Sequence, residues 1–232
     1  MHRRISTAIT VSLLGLAGPA HAAISISMPE RSVSALANFN GPIPTTDLLS
    51  TQSAGVFSDT AEAVSGGNAL EATASQDTRI ERLQAWGEGS SSIDASGFPD
   101  EAASSSSVEF IIDADESFDL ILSYDLGAVA SGSALATSSL RFERTDNNAL
   151  LFGATSLGTN TQLIAATLTF NVDPGQYRIS VTTDTLAGNS VNRTDGGGTA
   201  DADFFFRETI IPSPASAALL GLGGLAATRR RG

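Results

Sequence analysis

Carboxylates dominate the chemistry this sequence can offer. Asp113-Ala114-Asp115-Glu116, followed by Asp119, is its densest acidic cluster. Calcium takes about six to eight oxygen ligands, so alternate acids in a loop can hold it. Asp113, Asp115 and Asp119 are therefore candidate calcium ligands, although the glycine and spacing of an EF-hand loop are missing. The plainer reading is a solvated turn ahead of a strand. Asp201-Ala202-Asp203 invites the same two readings. Paired carboxylates also hydrolyse glycosides. With 25 acids in the chain, any pair is expected by chance, and no surrounding motif singles one out.

Sugar recognition needs exposed aromatic faces. The chain has one tryptophan, Trp86, and two tyrosines, Tyr124 and Tyr177. Both tyrosines fall on the inward phase of alternating segments, which leaves Trp86 as the candidate ligand platform. In Phe204-Phe205-Phe206 the alternation buries the outer two rings and turns Phe205 outward.

The missing residue types exclude more than the present ones propose. There is no cysteine and every basic residue is arginine, while the only histidines are His2 and His21. Between residues 23 and 211 there is thus no Cys, His or Lys. That removes Ser-His-Asp and Cys-His catalysis, His or Cys zinc sites, Schiff-base lysines and disulfide staples. Of the 13 arginines, two (Arg3, Arg4) precede this region and three (Arg229, Arg230, Arg231) follow it; the remaining eight face all 25 acids, leaving it 17 charges negative. Nucleic acid is therefore not an expected partner, because phosphate backbones need clustered Lys and Arg.

The elements that position these residues read as strands. Phe118, Leu120, Leu122 and Tyr124 alternate with polar or smaller neighbours, as do Ile164 to Val172, Tyr177 to Val181, and Leu140 with Phe142. One apolar and one wet face per strand is the antiparallel pattern. Asp173-Pro174-Gly175-Gln176 has the residues of a type II turn, which sends Val172 and Tyr177 into one core. Asp146-Asn147-Asn148 and residues 194–198 are further turns. Ser90 to Ser107 contains 8 serines in 18 residues, and residues 88–107 are expected to form a long surface loop. Arg79 to Trp86 fits either a strand or one helical turn. Residues 23–86 carry 16 large apolar residues in 64, against 33 in 104 for residues 108–211. The first part is too lean for its own core. The expectation is all-β: a single antiparallel β-sandwich, jelly-roll-like, over 23–211, flanked by an N-terminal signal helix and a C-terminal hydrophobic helix.

The two ends have their own logic. Residues 1–22 read as a signal peptide: Arg3 and Arg4, the apolar run Ala8 to Ala17, the helix-breaking Gly18-Pro19, then Ala20-His21-Ala22 as a small-x-small cleavage site. Cleavage is expected after Ala22. At the other end, residues 212–232 begin with Pro212-Ser213-Pro214. The 13 uncharged residues Ala215 to Ala227 follow, and Arg229, Arg230 and Arg231 close the segment as a stop-transfer cluster. At ~1.5 Å per residue the apolar helix is about 20 Å long, short against the ~30 Å hydrocarbon layer.

This order of Pro-x-Pro, short Leu/Gly/Ala helix and arginine cluster resembles the PEP-CTERM sorting signal, with Ser213 where that family usually has Glu. The resemblance implies a protein exported by the secretion machinery and recognised at Pro212, Ser213 and Pro214 by an exosortase-like membrane protease. It also implies transient anchoring in the inner membrane of a Gram-negative bacterium through the C-terminal helix, and delivery to the cell envelope, outer surface or medium. Val172 to Ile179, a hairpin of the form apolar-x-Pro-Gly-x-Tyr-x-apolar, is similar to one in the sandwich bodies that precede such tails. The functional expectation is a non-enzymatic surface or extracellular-matrix protein associated with exopolysaccharide and biofilm, with no cofactor unless calcium. The rival expectations are a carbohydrate- or protein-binding module and a carboxylate-dependent glycoside hydrolase.

Overall fold

Alternation with period two runs through the body, and each such run is a strand. The computed structural model describes residues 24–38, 43–65, 70–81, 84–95, 101–132, 134–158, 162–187 and 196–209. The signal-type segment, the Pro212–Gly232 segment and residues 194–195 lie outside them; residues 196–198 of the expected 194–198 turn are instead the start of a strand paired along its length. The chain divides into its two terminal segments and a compact unit, Ala22–Ile211. That unit contains strands β1 (Ile24–Asn38), β2 (Thr45–Thr51), β3 (Gly55–Ser65), β4 (Leu70–Ile80), β5 (Gln84–Ala95) and β6 (Glu101–Ala114). It continues with β7 (Phe118–Ala130), β8 (Leu135–Arg144), β9 (Ala149–Leu157), β10 (Gln162–Val172), β11 (Gly175–Ala187) and β12 (Gly196–Thr209).

The strands form two six-stranded antiparallel sheets. Sheet A has the order β2-β1-β6-β11-β8-β9, and sheet B the order β10-β7-β12-β5-β4-β3. The last eight strands pair from the outside inward: β5 with β12, β6 with β11, β7 with β10, and β8 with β9. This nested pairing is divided alternately between the two sheets of a β-sandwich. Strands β1 and β2 widen sheet A beside β6, and β4 and β3 widen sheet B beside β5.

The interior is graded along the strands. On β6 the inward residues run Ala102, Ser104, Ser106, Val108, Phe110, Ile112. On antiparallel β11 they run Ala187, Thr185, Thr183, Val181, Ile179, Tyr177. At the wide end Phe110, Phe118, Phe142, Tyr177, Phe204 and Phe206 fill the space between sheets, with Phe110 edge-on to Phe206 at 5.6 Å. At the other end alanines of β1, β3, β4, β6 and β11 pack around Val33, Leu70 and Ile93. Between these ends the sheets come close together. A Cβ on Gly89 of β5 would lie 2.7 Å from Ser106 Oγ on the facing sheet, so only small residues fit there.

This narrowing overturns the expected serine-rich loop at 88–107. Residues 84–95 and 101–114 are strands β5 and β6, in opposite sheets. Ser91, Ser104 and Ser106 face inward because a hydroxymethyl group fills the narrow gap. Ser91 Oγ has no hydrogen-bond partner among the described residues, whereas the polarity of Ser104 is met. Ser104 Oγ donates to Ser92 O at 3.0 Å and lies 2.6 Å from Thr185 Oγ1. Gln76 Nε2 donates to Ser107 O at 3.2 Å.

Two other local expectations need amendment. Val172 to Ile179 is no hairpin: β10 pairs with β7 in sheet B and β11 with β6 and β8 in sheet A, so the Asp173-Pro174 turn carries the chain between sheets. Gly175 has φ 155°, far from the ~80° of a type II turn. Val172 and Tyr177 nevertheless share the same core. Within Arg79 to Trp86 the described residues are strand at both ends, Arg79 and Ile80 closing β4 and Gln84 to Trp86 opening β5, with Glu81 N donating to Gln84 O at 2.9 Å.

Strand β1 buries a whole guanidinium. Arg31 has no exposed surface, and burial lowers its pKa by disfavouring the cation. Among the described residues no carboxylate pairs with it. Its Nη1 donates to Gly55 O at 2.9 Å and to the carbonyl and hydroxyl of Thr78 at 3.4 Å. Its Nη2 donates to Ser53 O, and its Cζ lies 5.5 Å from the Phe57 ring centroid. One side chain thus answers the carbonyls of the β2–β3 connection and fastens β3 and β4 to β1. Arg31→Met leaves those carbonyls without donors. It is expected to cost about 2–4 kcal/mol, because the lost charge-assisted bonds outweigh the relief of desolvation. Urea unfolding of the purified body measures this.

Candidate functional site

The face of sheet B turned away from the core carries the densest set of unspent side chains. Paired residues in neighbouring strands share a face, so registers define rows across the sheet. One row reads Val56, Arg79, Trp86, Phe205, Ser123, Thr167, across β3, β4, β5, β12, β7 and β10. The next row, two residues along each strand, reads Ser58, Asp77, Glu88, Asp203, Asp125, Ala165.

Trp86 is half-buried on this face, as a platform requires. Phe205 is directly opposite it and 37% exposed, while Phe204 and Phe206 enter the core. The expected alternation of the three rings therefore holds. Tyr124 and Tyr177 are core residues, and Tyr177 Oη donates to Asp173 O at 2.7 Å. On the other side of Trp86, the Arg79 guanidinium lies 5.3 Å from the indole ring. The β4–β5 turn holds this geometry. Glu81 pairs with Arg79 at 2.7 Å and accepts from Gln84 Nε2 at 2.7 Å. Gly87 lets β5 press against β4: a Cβ there would stand 2.7 Å from Asp77 O and 2.8 Å from Thr78 Cα. A cleft of about 650 Å³ lies over Val56, Asp77, Arg79, Trp86, Glu88 and Phe205. A second, of about 460 Å³, continues past Phe205 to Ser123, Asp125 and Thr167.

The electrostatics of the second row are unfavourable to the fold. Asp77, Glu88, Asp203 and Asp125 are cross-strand neighbours of like charge, and such pairs destabilise a sheet. Asp201, one row further, has its pKa raised, first by desolvation and then by Asp203. The aromatic row offers C–H and π surface to a flat apolar ring face. The acidic row offers acceptors to hydroxyl or ammonium donors. Of these residues Trp86 was legible in the sequence. Arg79, Asp77, Glu88 and Asp125 were not, because only the pairing of distant strands aligns them.

The calcium candidates sit at a different place. Asp113 is the last residue but one of β6, Asp119 the second of β7, and Asp115 lies exposed between them. Both Asp113 oxygens are engaged, one by Ser27 Oγ and one by Gln176 Nε2, each at 2.7 Å. Asp119 Oδ1 accepts from Asn171 Nδ2 at 3.2 Å. Among the described residues no three acidic side chains converge as a metal site. Ala20, Ala22, Pro212, Ser213, Pro214 and Arg229 to Arg231 lie outside the described residues.

No protein-family model matches this chain, and no curated protein matches it in sequence.

Two outcomes follow. The carboxyl of Asp201 is harder to ionise in the folded chain than in the unfolded one. Its unfavourable term is therefore absent below the ordinary value of 3.8 and grows as pH rises through the raised folded value. Asp201→Asn is expected to raise the melting temperature at pH 7 and to lose that advantage at pH 3, as read by circular dichroism. Excess EDTA is expected to leave the melting temperature of the native body unchanged, since the Asp113 oxygens already have donors.

Proposed function

We propose that this chain is a non-enzymatic exported envelope protein whose jelly-roll body rests against polysaccharide through the Trp86 face. The single observation that carries the glycan reading is the Arg79–Trp86–Phe205 row beside a row of four carboxylates. A pyranose ring presents one apolar face and a rim of hydroxyls. The aromatic row matches the first and the acidic row the second. An open cleft crossing several strands suits a polymer lying across the sheet rather than a small enclosed ligand. The carboxylates repel uronate, sulfate and phosphate groups, so the preferred glycan is neutral or bears amino groups.

Export and sorting rest on the two ends: the signal-type segment through Ala22, and the Pro212-Ser213-Pro214, apolar helix, Arg229–Arg231 order that resembles a PEP-CTERM tail. The absence of Cys, His and Lys from the body supports a binding role over a catalytic one.

Immobilised neutral, amino and acidic polysaccharides, titrated with the purified body, test the reading. Saturable binding to a neutral or amino glycan is expected, weakened at least tenfold by Trp86→Ala with the fold intact by circular dichroism. Equal binding of the variant, or preference for acidic glycans, sinks the glycan assignment. Mass spectrometry of the native protein tests export separately: a mature N-terminus at Ala23 is expected, and a retained Met1 overturns it.

A further inference from the structure

We propose that the folded chain cleaves its own peptide bond between Asp173 and Pro174, in the turn that carries it from sheet B to sheet A. This is the one Asp-Pro bond in the sequence. Its nitrogen has two alkyl substituents and no hydrogen, so it accepts a proton and leaves as a secondary amine more readily than an ordinary peptide nitrogen. The Asp173 carboxylate is tethered beside the carbonyl it attacks, and tethering replaces an encounter in solution. Among the described residues no hydrogen bond or ion pair engages that carboxylate, whereas those of the neighbouring Asp113, Asp119 and Asp146 are each held.

The fold places a donor where the reaction needs one. Tyr177 Oη donates to Asp173 O at 2.7 Å, and this oxygen gains negative charge when its carbon is attacked. Burial raises the pKa of that phenol, so it keeps its proton and remains a donor. On the far side of the bond, Arg144 Nη2 donates to Pro174 O at 3.2 Å, and Arg144 is itself paired with Asp146 at 2.9 Å. The bond is thus gripped on both sides, while Asp173 and Pro174 are exposed to water. In the reaction a carboxylate oxygen of Asp173 attacks the main-chain carbonyl carbon and closes a cyclic anhydride. The resulting oxyanion, held by Tyr177, reforms the carbonyl as the C–N bond breaks. The Pro174 nitrogen keeps the electron pair of that bond and takes a proton from solvent. Water then opens the anhydride and leaves two carboxyl groups on Asp173, so the net change is hydrolysis of one peptide bond. Strands β11 and β12 lie inside their sheets, paired with β6 and β8 and with β5 and β7. The cleaved body therefore stays assembled, but β1 to β10 are joined to the Pro212–Gly232 segment only by strand pairing. The inference is independent of the glycan face, since neither Asp173 nor Tyr177 lines its clefts.

The twelve strands lie within Ala22–Ile211, so the experiment uses residues 23–211. The purified body is held at pH 4, folded by circular dichroism, beside the same body unfolded in urea at that pH, and cleavage is followed by mass spectrometry. Fragments ending at Asp173 and beginning at Pro174 are expected. They form at least tenfold faster from the folded chain than from the unfolded one, at a rate per molecule independent of concentration. Tyr177→Phe keeps the ring and loses the hydroxyl. Its folded chain is expected to fall to the rate of the unfolded one, with variant and native chains alike in urea. Asp173→Ala, at an exposed position, is expected to give no such fragments. A folded native body that cleaves no faster than the unfolded body overturns the proposal, and this comparison needs no variant to fold. So does a folded Tyr177→Phe body that cleaves at the native rate, or cleavage of Asp173→Ala at the same bond.

Discussion

The close approach of the two sheets around Gly89 and Ser106 sets the terms for everything else in this body. A sandwich interior of uniform width accepts large apolar side chains throughout. This one narrows from a Phe- and Tyr-filled end to an Ala-lined end, and the band between them is lined mainly by Ser, Thr and Gly, with Gln76 opposite Gly89. An unpaired buried hydroxyl costs about 1–3 kcal/mol, and those of Ser91, Ser138 and Thr183 have no partner among the described residues. Ser104 and Gln76 avoid that cost by bonding backbone carbonyls of the facing sheet. The same contacts that satisfy these groups therefore fasten sheet A to sheet B.

The first four strands depend on that arrangement. They contribute mostly alanines to the core: residues of β1 cluster with those of β3 and β4, and Ile93 of β5, Ala102 of β6 and Ala187 of β11 complete the cluster. Arg31 compensates for the lean packing. A buried guanidinium is an expensive anchor, since its desolvation opposes folding. It is retained where one side chain meets several carbonyls at once and lies against the Phe57 ring. The fold thus spends charge in the interior to secure added strands that apolar area alone holds weakly.

On the outer surface the logic runs the other way. Four acids side by side across strands weaken the sheet, and no arginine in their row relieves them. Arg79, in the neighbouring row, is held by Glu81 and stacked on Trp86. That cost, borne beside an exposed aromatic pair, is what the proposed ligand-binding reading rests on.

Alternation alone determined the strands that build the aromatic end. Phe118 to Tyr124, Leu140 with Phe142, and Tyr177 to Val181 each declared an inward face, and Phe205 its outward one. Composition alone removed the catalytic classes that need His, Cys or Lys. The serine-rich segment misled because polarity is read as exposure, whereas hydroxymethyl groups enter a core where two sheets come too close for larger side chains. The Val172–Ile179 turn misled because local turn chemistry does not say whether two strands pair or pass into different sheets. Arg31 and the Asp77–Glu88–Asp203–Asp125 row carried no local signal at all. A buried charge is recognisable only from the carbonyls around it, and a row of acids only from the registers of four strands distant in the chain. Those are properties of pairing between remote segments, which tertiary structure alone decides.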